Sequence, residues 1–203
     1  MFELLTAQEQ PEMVGEPISI PRGGVSMLAA APGVGKSWLG MQWALSVPDT
    51  LYLAWDMSPA TFSYRLGMLG GDQVCPWVSW DGLDEALDMW QHVFGTMPQG
   101  MVVDNLANLA ESGEWESEEA SVRTLARLAR KHNIAVLALH HVTSKYVEGD
   151  EPVPLSGVRG QLGRFPEVMF TADGRDGEDI HIQSVKDRHR KCGEKWAPRV
   201  PRR

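Results

Sequence analysis

Ala30-Ala31-Pro32-Gly33-Val34-Gly35-Lys36-Ser37 stands between an apolar run, Val25-Ser26-Met27-Leu28-Ala29, and a segment with Leu39, Met41, Trp43, Ala44 and Leu45 at helical spacing. Strand, glycine-bearing loop, Gly-Lys-Ser and helix is the order of a phosphate-binding P-loop. The residue types have physical reasons. Small residues let successive backbone N–H groups turn inward around an anion. A helix that starts near Gly35 aims its positive end at the same anion. Lys36 reaches the β- and γ-phosphates, and the Ser37 hydroxyl ligates Mg²⁺. The strict pattern begins with Gly, where this chain has Ala30. The expected cofactors are ATP and Mg²⁺. The expected nucleotide-binding set is Ala31, Pro32, Gly33, Val34, Gly35, Lys36, Ser37 and Trp38.

Outward from the loop, apolar runs alternate with helical patterns. Thr50–Trp55 reads as a buried strand. Ser58-Pro59 then caps and opens a helix carrying Phe62, Leu66 and Leu69. A short strand is expected within 74–80. A helix follows over Leu83–Phe94, with Leu83, Ala86, Leu87, Trp90 and Phe94 on one face. Gly100–Asp104 is a strand ending in a carboxylate. Ser117-Glu118-Glu119-Ala120 opens a helix with apolar Val122, Leu125 and Leu128 and otherwise basic faces. Ile134–Leu139 is a strand ending at His140-His141. Residues 143–158 read as a polar, mobile segment. Val168–Thr171 and Ile180–Val185 are the last strands, with a turn over 173–177 between them. This alternation predicts an α/β fold, a mostly parallel central sheet flanked by helices. Ligands on such sheets sit at the carboxyl ends of strands. Ala30, Asp56, Asp104 and His141 fall there.

The bulk properties bound the setting. The 203 residues suffice for one sizeable α/β domain. No apolar stretch reaches the length of a membrane span, so no membrane partner is expected. The N-terminus MFELLTAQEQPEM has no signal-peptide pattern. Cys75 and Cys192 make no disulfide framework, which suits a cytoplasmic protein. Net charge is −8, which taken alone argues against a general nucleic-acid binder. Yet Val185–Arg203 holds eight Lys and Arg against Asp187 and Glu194. That asymmetry points to a segment touching a polyanion or a neighbouring subunit.

Each candidate catalytic residue has a role that its position allows. Asp104, at a strand end, holds Mg²⁺ together with Ser37. Asp56, after the second strand, orients or deprotonates the attacking water. His141 senses the γ-phosphate. Lys186 and Arg188 lie i and i+2 on one side of an extended strand. Such a pair projects across a subunit interface toward a neighbour's phosphates.

In this order the pieces resemble the RecA-like ATPase core of hexameric replicative helicases of the DnaB type. Residues 30–37 resemble that family's P-loop, Leu53-Ala54-Trp55-Asp56-Met57-Ser58 its strand ending in Glu, Met and Ser, and Met101-Val102-Val103-Asp104 its Walker B strand. Leu139-His140-His141 falls at its phosphate sensor, and Lys186-Asp187-Arg188 resembles its trans-acting Lys-x-Arg element. The resemblance covers roughly residues 18–190 and implies a RecA-like ATPase domain there, between an arm over 1–17 and a basic tail over 191–203. It further implies a homo-oligomer, ring or filament, acting on single-stranded DNA in replication. Two departures stand out. Asp56 replaces the family's Glu, and no counterpart of the helicases' large N-terminal domain is present in these 203 residues. Two other functions fit the same motifs: a RecA-type recombination ATPase forming filaments on single strands, and an ATP-binding regulatory protein that does not translocate.

Overall fold

A computed structural model describes residues 10–70, 77–109, 115–174 and 179–198. The first nine residues, 74–76, the tip of the 173–177 turn, and Arg199, Arg202 and Arg203 lie outside the described residues. In chain order the strands are β1 (Met13–Val14), β2 (Ile20–Pro21), β3 (Val25–Ala30), β4 (Thr50–Ala54), β5 (Trp77–Ser79), β6 (Gly100–Asp104), β7 (Ala135–His141), β8 (Val168–Asp173), β9 (Asp179–Asp187) and β10 (Glu194–Pro198). The α-helices are α1 (Lys36–Ser46), α2 (Pro59–Met68), α3 (Leu83–Phe94) and α4 (Trp115–His132).

Strands β3 to β10 form one sheet in the order β10-β9-β8-β3-β7-β6-β4-β5. Pairings from β8 through β5 are parallel, and β8–β9 and β9–β10 are antiparallel. Every residue of β3, β4, β6 and β8 is buried. That is the signature of strands covered on both faces, and it explains why they read as continuous apolar runs. Strand β3 lies between β7 and β8, so the loop after Ala30 opens from the middle of the sheet. The expected fold, an α/β sheet of mostly parallel strands flanked by helices, is the one observed.

Local chemistry sets the helix ends. Ser58 accepts a hydrogen bond from Thr61 N, and Pro59 fills the first turn of α2. Asp84 and Glu85 sit in the first turn of α3, where they complement the dipole. Phe94, expected on the buried face of α3, stays 42% exposed. It meets Trp77 of edge strand β5 edge to face, with ring centroids 4.9 Å apart.

Three segments are more ordered than their composition suggests. Met13 and Val14 pair with Pro21 and Ile20, and the Trp43 indole donates to Val14 O at 3.3 Å, so residues 10–17 fold onto α1 instead of forming a loose arm. Strand β10 lies inside the stretch read as a basic tail, pairing with β9 from Gln183 back to Asp179. The density of charge there hides the strand, and charged side chains are what an edge strand carries. Residues 143–158 are pinned, contrary to the mobile reading. Val142 bridges Val158, Thr143 N donates to Gly157 O at 2.8 Å, and Val153 is buried with its carbonyl accepting from Thr171 Oγ1. Among the described residues no helix is long and apolar enough to cross a membrane.

Candidate nucleotide site

The loop between β3 and α1 has the backbone that its glycines permit. Gly33 and Gly35 take φ values of 81° and 124°, in the region that side chains avoid. At Gly35 an added Cβ would stand 2.6 Å from Ile180 Cδ1, because the start of β9 packs against the loop. Pro32 and Gly33 are exposed, so the loop is open to an incoming anion. The first α1-type bond runs from Leu39 N to Gly35 O at 3.0 Å. The N–H groups of Lys36, Ser37 and Trp38 thus lie in the first turn, where a helix has no partners of its own to offer. Trp38 packs its side chain against the core, so its part in a nucleotide site is its backbone N–H.

Lys36 is 8% exposed. Its Nζ donates to Ala30 O at 2.9 Å and to Ala31 O at 3.2 Å. Burial lowers its pKa, while the charges of Asp104 and then Asp56 act in the opposite direction. Asp104 is 1% exposed. Its Oδ2 accepts from Tyr52 Oη at 2.8 Å, and its Oδ1 is buried with no hydrogen-bond partner. Burial raises its pKa, and the Tyr52 hydrogen bond, the nearby Ser37 hydroxyl and the Lys36 charge work against that rise. A buried carboxylate oxygen left unpaired beside a serine hydroxyl offers the oxygen ligands that Mg²⁺ takes, with Lys36 next to them as a second cation. The residues present fit the metal.

Asp56 lies exposed in the turn after β4, with its N–H donating to Asp104 O at 3.2 Å. Its charge raises the pKa of both Lys36 and His141, so all three share one electrostatic site. His141 is half-buried, with Nε2 at 3.3 Å from Asn105 Nδ2. Burial, then Lys36, lowers its pKa, so the imidazole is neutral at physiological pH. Its neighbour His140 points to the other face of β7 and is fully buried, with Nε2 at 3.2 Å from Arg159 O and 3.8 Å from Glu118 Oε2.

The structure therefore brings together Lys36, Ser37, Asp56, Asp104 and His141, and places Lys186 and Arg188 elsewhere. Lys186 pairs with Met169, which pairs with Met27, three residues before Ala30. At about 3.3 Å per residue this is roughly 10 Å back along the sheet, toward its amino end. Strand β9 is not the last strand, since β10 covers its first half, residues 179–183, and leaves the half with Lys186 uncovered. All three Lys186 donors are used inside the chain, to Gly163 O, Arg164 O and Pro166 O at 2.9, 3.0 and 2.7 Å. Arg188 is more open: it is 49% exposed, donating to Arg164 O at 3.1 Å and facing Glu167 at 3.4 Å. Two members of the site were not singled out in the sequence, Tyr52 and Asn105. Tyr52 sits inside an apolar strand where a phenol looks like any core aromatic. Asn105 follows Asp104 with no spacing signal of its own.

Residues 3–145 match the family model described as an AAA domain. The Gene 65 protein of Mycobacterium phage L5 is 29% identical over 207 residues, covering 82% of this chain and 77% of that protein. The Gene 65 protein of Mycobacterium phage D29 is 30% identical over 152 residues, covering 70% of this chain and 61% of that protein. A KaiC-like protein from the hyperthermophilic archaeon Pyrococcus horikoshii OT3 shares the fold with a TM-score of 0.67 over 93% of this chain and 94% of its own, at 12% identity.

Proposed function

The chain belongs to the AAA domain family, and from that premise we propose that it is an ATP-hydrolysing, RecA-like motor that acts on single-stranded DNA, helicase-like, in replication. The observation that carries hydrolysis is the buried, unpaired Asp104 Oδ1 beside Ser37 and Lys36. Ser37 and Asp104 would hold Mg²⁺, which when bound would supply neutralisation of the charge on the phosphate oxygens. Lys36 exchanges its two carbonyl acceptors for phosphate oxygens, a swap that keeps its donors satisfied. Asp56, exposed at the mouth, accepts the proton of the attacking water as its oxygen bonds to the γ-phosphorus and the bond to the ADP oxygen breaks. His141, steadied by Asn105, hydrogen-bonds the γ-phosphate while it is present.

Nothing in this constellation cancels the charge that builds on the γ-phosphoryl group at the side facing solvent. An arginine supplied by a neighbouring subunit is worth roughly 10³–10⁵ in rate. Arg188, half exposed and remote from its own P-loop, is the candidate, in a ring or filament of identical subunits. Lys186, with its donors engaged, positions the backbone around Arg188 and does not itself reach across.

The test measures ATP turnover against protein concentration, with and without an oligo-dT strand. Turnover rises more than linearly with concentration and is stimulated by the strand. Arg188→Ala and Lys36→Ala are each inactive, and an equal mixture regains activity through composite sites. Full turnover in dilute monomer, or a mixture that stays inactive although mixed assemblies form, overturns the trans role. Absence of strand displacement on a forked duplex overturns the helicase reading alone.

A further inference from the structure

Helix α4 runs from the Walker B strand β6 to the sensor strand β7 and exposes Arg123, Arg127 and Arg130. Their spacing of four and three residues puts the guanidinium groups on one face, over about 10 Å of helix. With Val122, Ala126 and Phe165 they line a cleft of about 480 Å³, open to solvent. Val122 is buried and Phe165 half-buried, so the cleft has an apolar floor and a cationic wall.

The four arginines here are not equivalent. Arg123 and Arg164 share Glu119, at 2.6 and 3.0 Å, and both lie over the Phe165 ring, 5.0 and 4.8 Å from its centroid. They are fixed by a carboxylate and by cation–π contact. Arg127 and Arg130 have no carboxylate partner among the described residues. Arg127 reaches only Thr124 Oγ1, and Arg130 only Ala126 O. A chain of net charge −8 thus leaves two guanidinium groups, most of their donors free, beside an apolar cleft. Guanidinium forks match phosphate oxygens in pairs. The apolar floor suits the sugars and unstacked bases of a single strand, which a duplex does not present.

We propose that this cleft on α4 binds the phosphate backbone of single-stranded nucleic acid through Arg127 and Arg130, with Arg123, Arg164 and Phe165 forming a fixed wall. This rests on the reading that the protein acts on single strands. It is distinct from Lys145 and Arg159, two exposed cations of the segment that follows β7 and the alternative contact for a strand. Helix α4 connects the strand bearing Asp104 to the strand bearing His141, and Arg127 and Arg130 lie in its last turns, beside the amino end of β7 and away from the nucleotide site.

The experiment is fluorescence anisotropy of a labelled oligo-dT with the full chain and ATP, across a salt series. Arg127→Ala/Arg130→Ala is expected to bind about tenfold more weakly at low salt, with a salt slope shallower by about 1.4, the value for two lost single-strand phosphate contacts. Its strand-free ATP turnover and circular dichroism stay those of the wild type. Charge reversal, Arg127→Glu/Arg130→Glu, lowers binding further. If the alanine variant binds with wild-type affinity and slope while Lys145→Ala/Arg159→Ala loses binding, the cleft is not the contact and the single-strand reading survives. If the wild type itself binds no oligo-dT at low salt, both fail. If the alanine variant changes the sedimentation coefficient and leaves oligo-dT affinity alone, the cleft is a protein interface and the proposal is overturned.

Discussion

Lys36 and Lys186 hold the same kind of partner in two different places. Each Nζ is drawn down in pKa by burial and donates to backbone carbonyls of its own chain. Lys36 uses two carbonyls, both belonging to the loop it serves, and faces the carboxylates Asp104 and Asp56. Lys186 uses three, all from 163–166, and the carboxylate that bears on it is Glu167. An ammonium group has three donors. Lys36 therefore keeps a donor in reserve beside a site that needs a cation, whereas Lys186 has none to spare. One lysine is arranged for an incoming anion and the other ties a loop down. Residue type alone distinguishes neither.

The comparison breaks most visibly under alanine. Lys36→Ala removes the cation aimed at the transferring phosphoryl group, and turnover falls by about 10³-fold. Its thermal midpoint falls less than that of Lys186→Ala, because two carbonyls lose a donor instead of three and the desolvation cost of the more deeply buried ammonium is relieved. Lys186→Ala instead leaves three carbonyls without their donor, which costs about 1–3 kcal/mol and lowers the midpoint by several degrees, at about 2–4 °C per kcal/mol for a chain of this size. Scanning calorimetry paired with a phosphate-release assay separates the two. Equal losses of midpoint in both variants would erase the distinction.

Two carboxylates sharpen the same contrast at the P-loop. Asp56→Asn keeps nucleotide affinity and lowers turnover by about 10²-fold, the low end for a lost general base. The exposed position lets solvent take up part of the proton-accepting role. Asp104→Asn raises the Mg²⁺ concentration needed for half-maximal turnover, since it removes the buried unpaired oxygen. A Mg²⁺ titration of both variants, with nucleotide binding followed separately, decides whether base and metal roles are divided this way. Wild-type turnover in Asp56→Asn would make that residue a turn former only.

The P-loop end of the molecule was legible in the sequence and the Lys186 end was not. Gly33, Gly35, Lys36 and Ser37 are constrained by backbone conformation and by phosphate chemistry, so their order in the chain already states their geometry. Asp104 and His141 were legible because apolar strands end there. Lys186 and Arg188 have an extended spacing that is common to any strand, and their partners at 163–167 are set by tertiary folding. Strand β10 and the folded 10–17 segment escaped as well. Strands β9 and β2 are near neighbours in the chain, but β10 is hidden among charged residues and the two-residue β1 is held by Trp43, 29 residues beyond Val14. Tyr52 was invisible because its polar atom matters only once β4 and β6 are neighbours, bringing Tyr52 Oη to Asp104.

That phenol gives a smaller effect with a definite sign. Asp104 must be ionised to hold Mg²⁺, and burial already raises its pKa. The Tyr52 hydrogen bond opposes the rise, so Tyr52→Phe raises the pKa further. Turnover at alkaline pH falls by about tenfold, the low end for one hydrogen bond to a charged group. The acid limb of the pH–rate profile moves to higher pH. An unmoved limb would mean that another group controls it.

The adjacent histidines repeat the lysine contrast within one strand and give the smallest effect on activity. His141 faces the nucleotide site, while His140 faces Glu118 on α4 and the carbonyl of Arg159. Burial lowers the His140 pKa from 6.5 to about 4. The folded protein therefore holds this imidazole neutral, and the unfolded chain takes up its proton first as pH falls. Stability from His140 is present above about pH 6.5 and is lost as pH falls toward 4, by on the order of 3 kcal/mol in all. Glu118, whose pKa burial raises, contributes with the opposite sign. Its share is greatest at acid pH and fades as pH rises, which flattens the net profile. His140→Gln keeps a donor for Arg159 O and cannot titrate. Its urea midpoint, measured from pH 7 to pH 4, falls less steeply than that of the wild type, and its turnover at pH 7.5 stays within about twofold, because its side chain lies on the face of β7 opposite to that of His141. Parallel wild-type and variant stability curves would show that His140 does not couple to folding. A collapse of turnover at pH 7.5 would show that both histidines belong to the site, and the division between the two faces of β7 would fail.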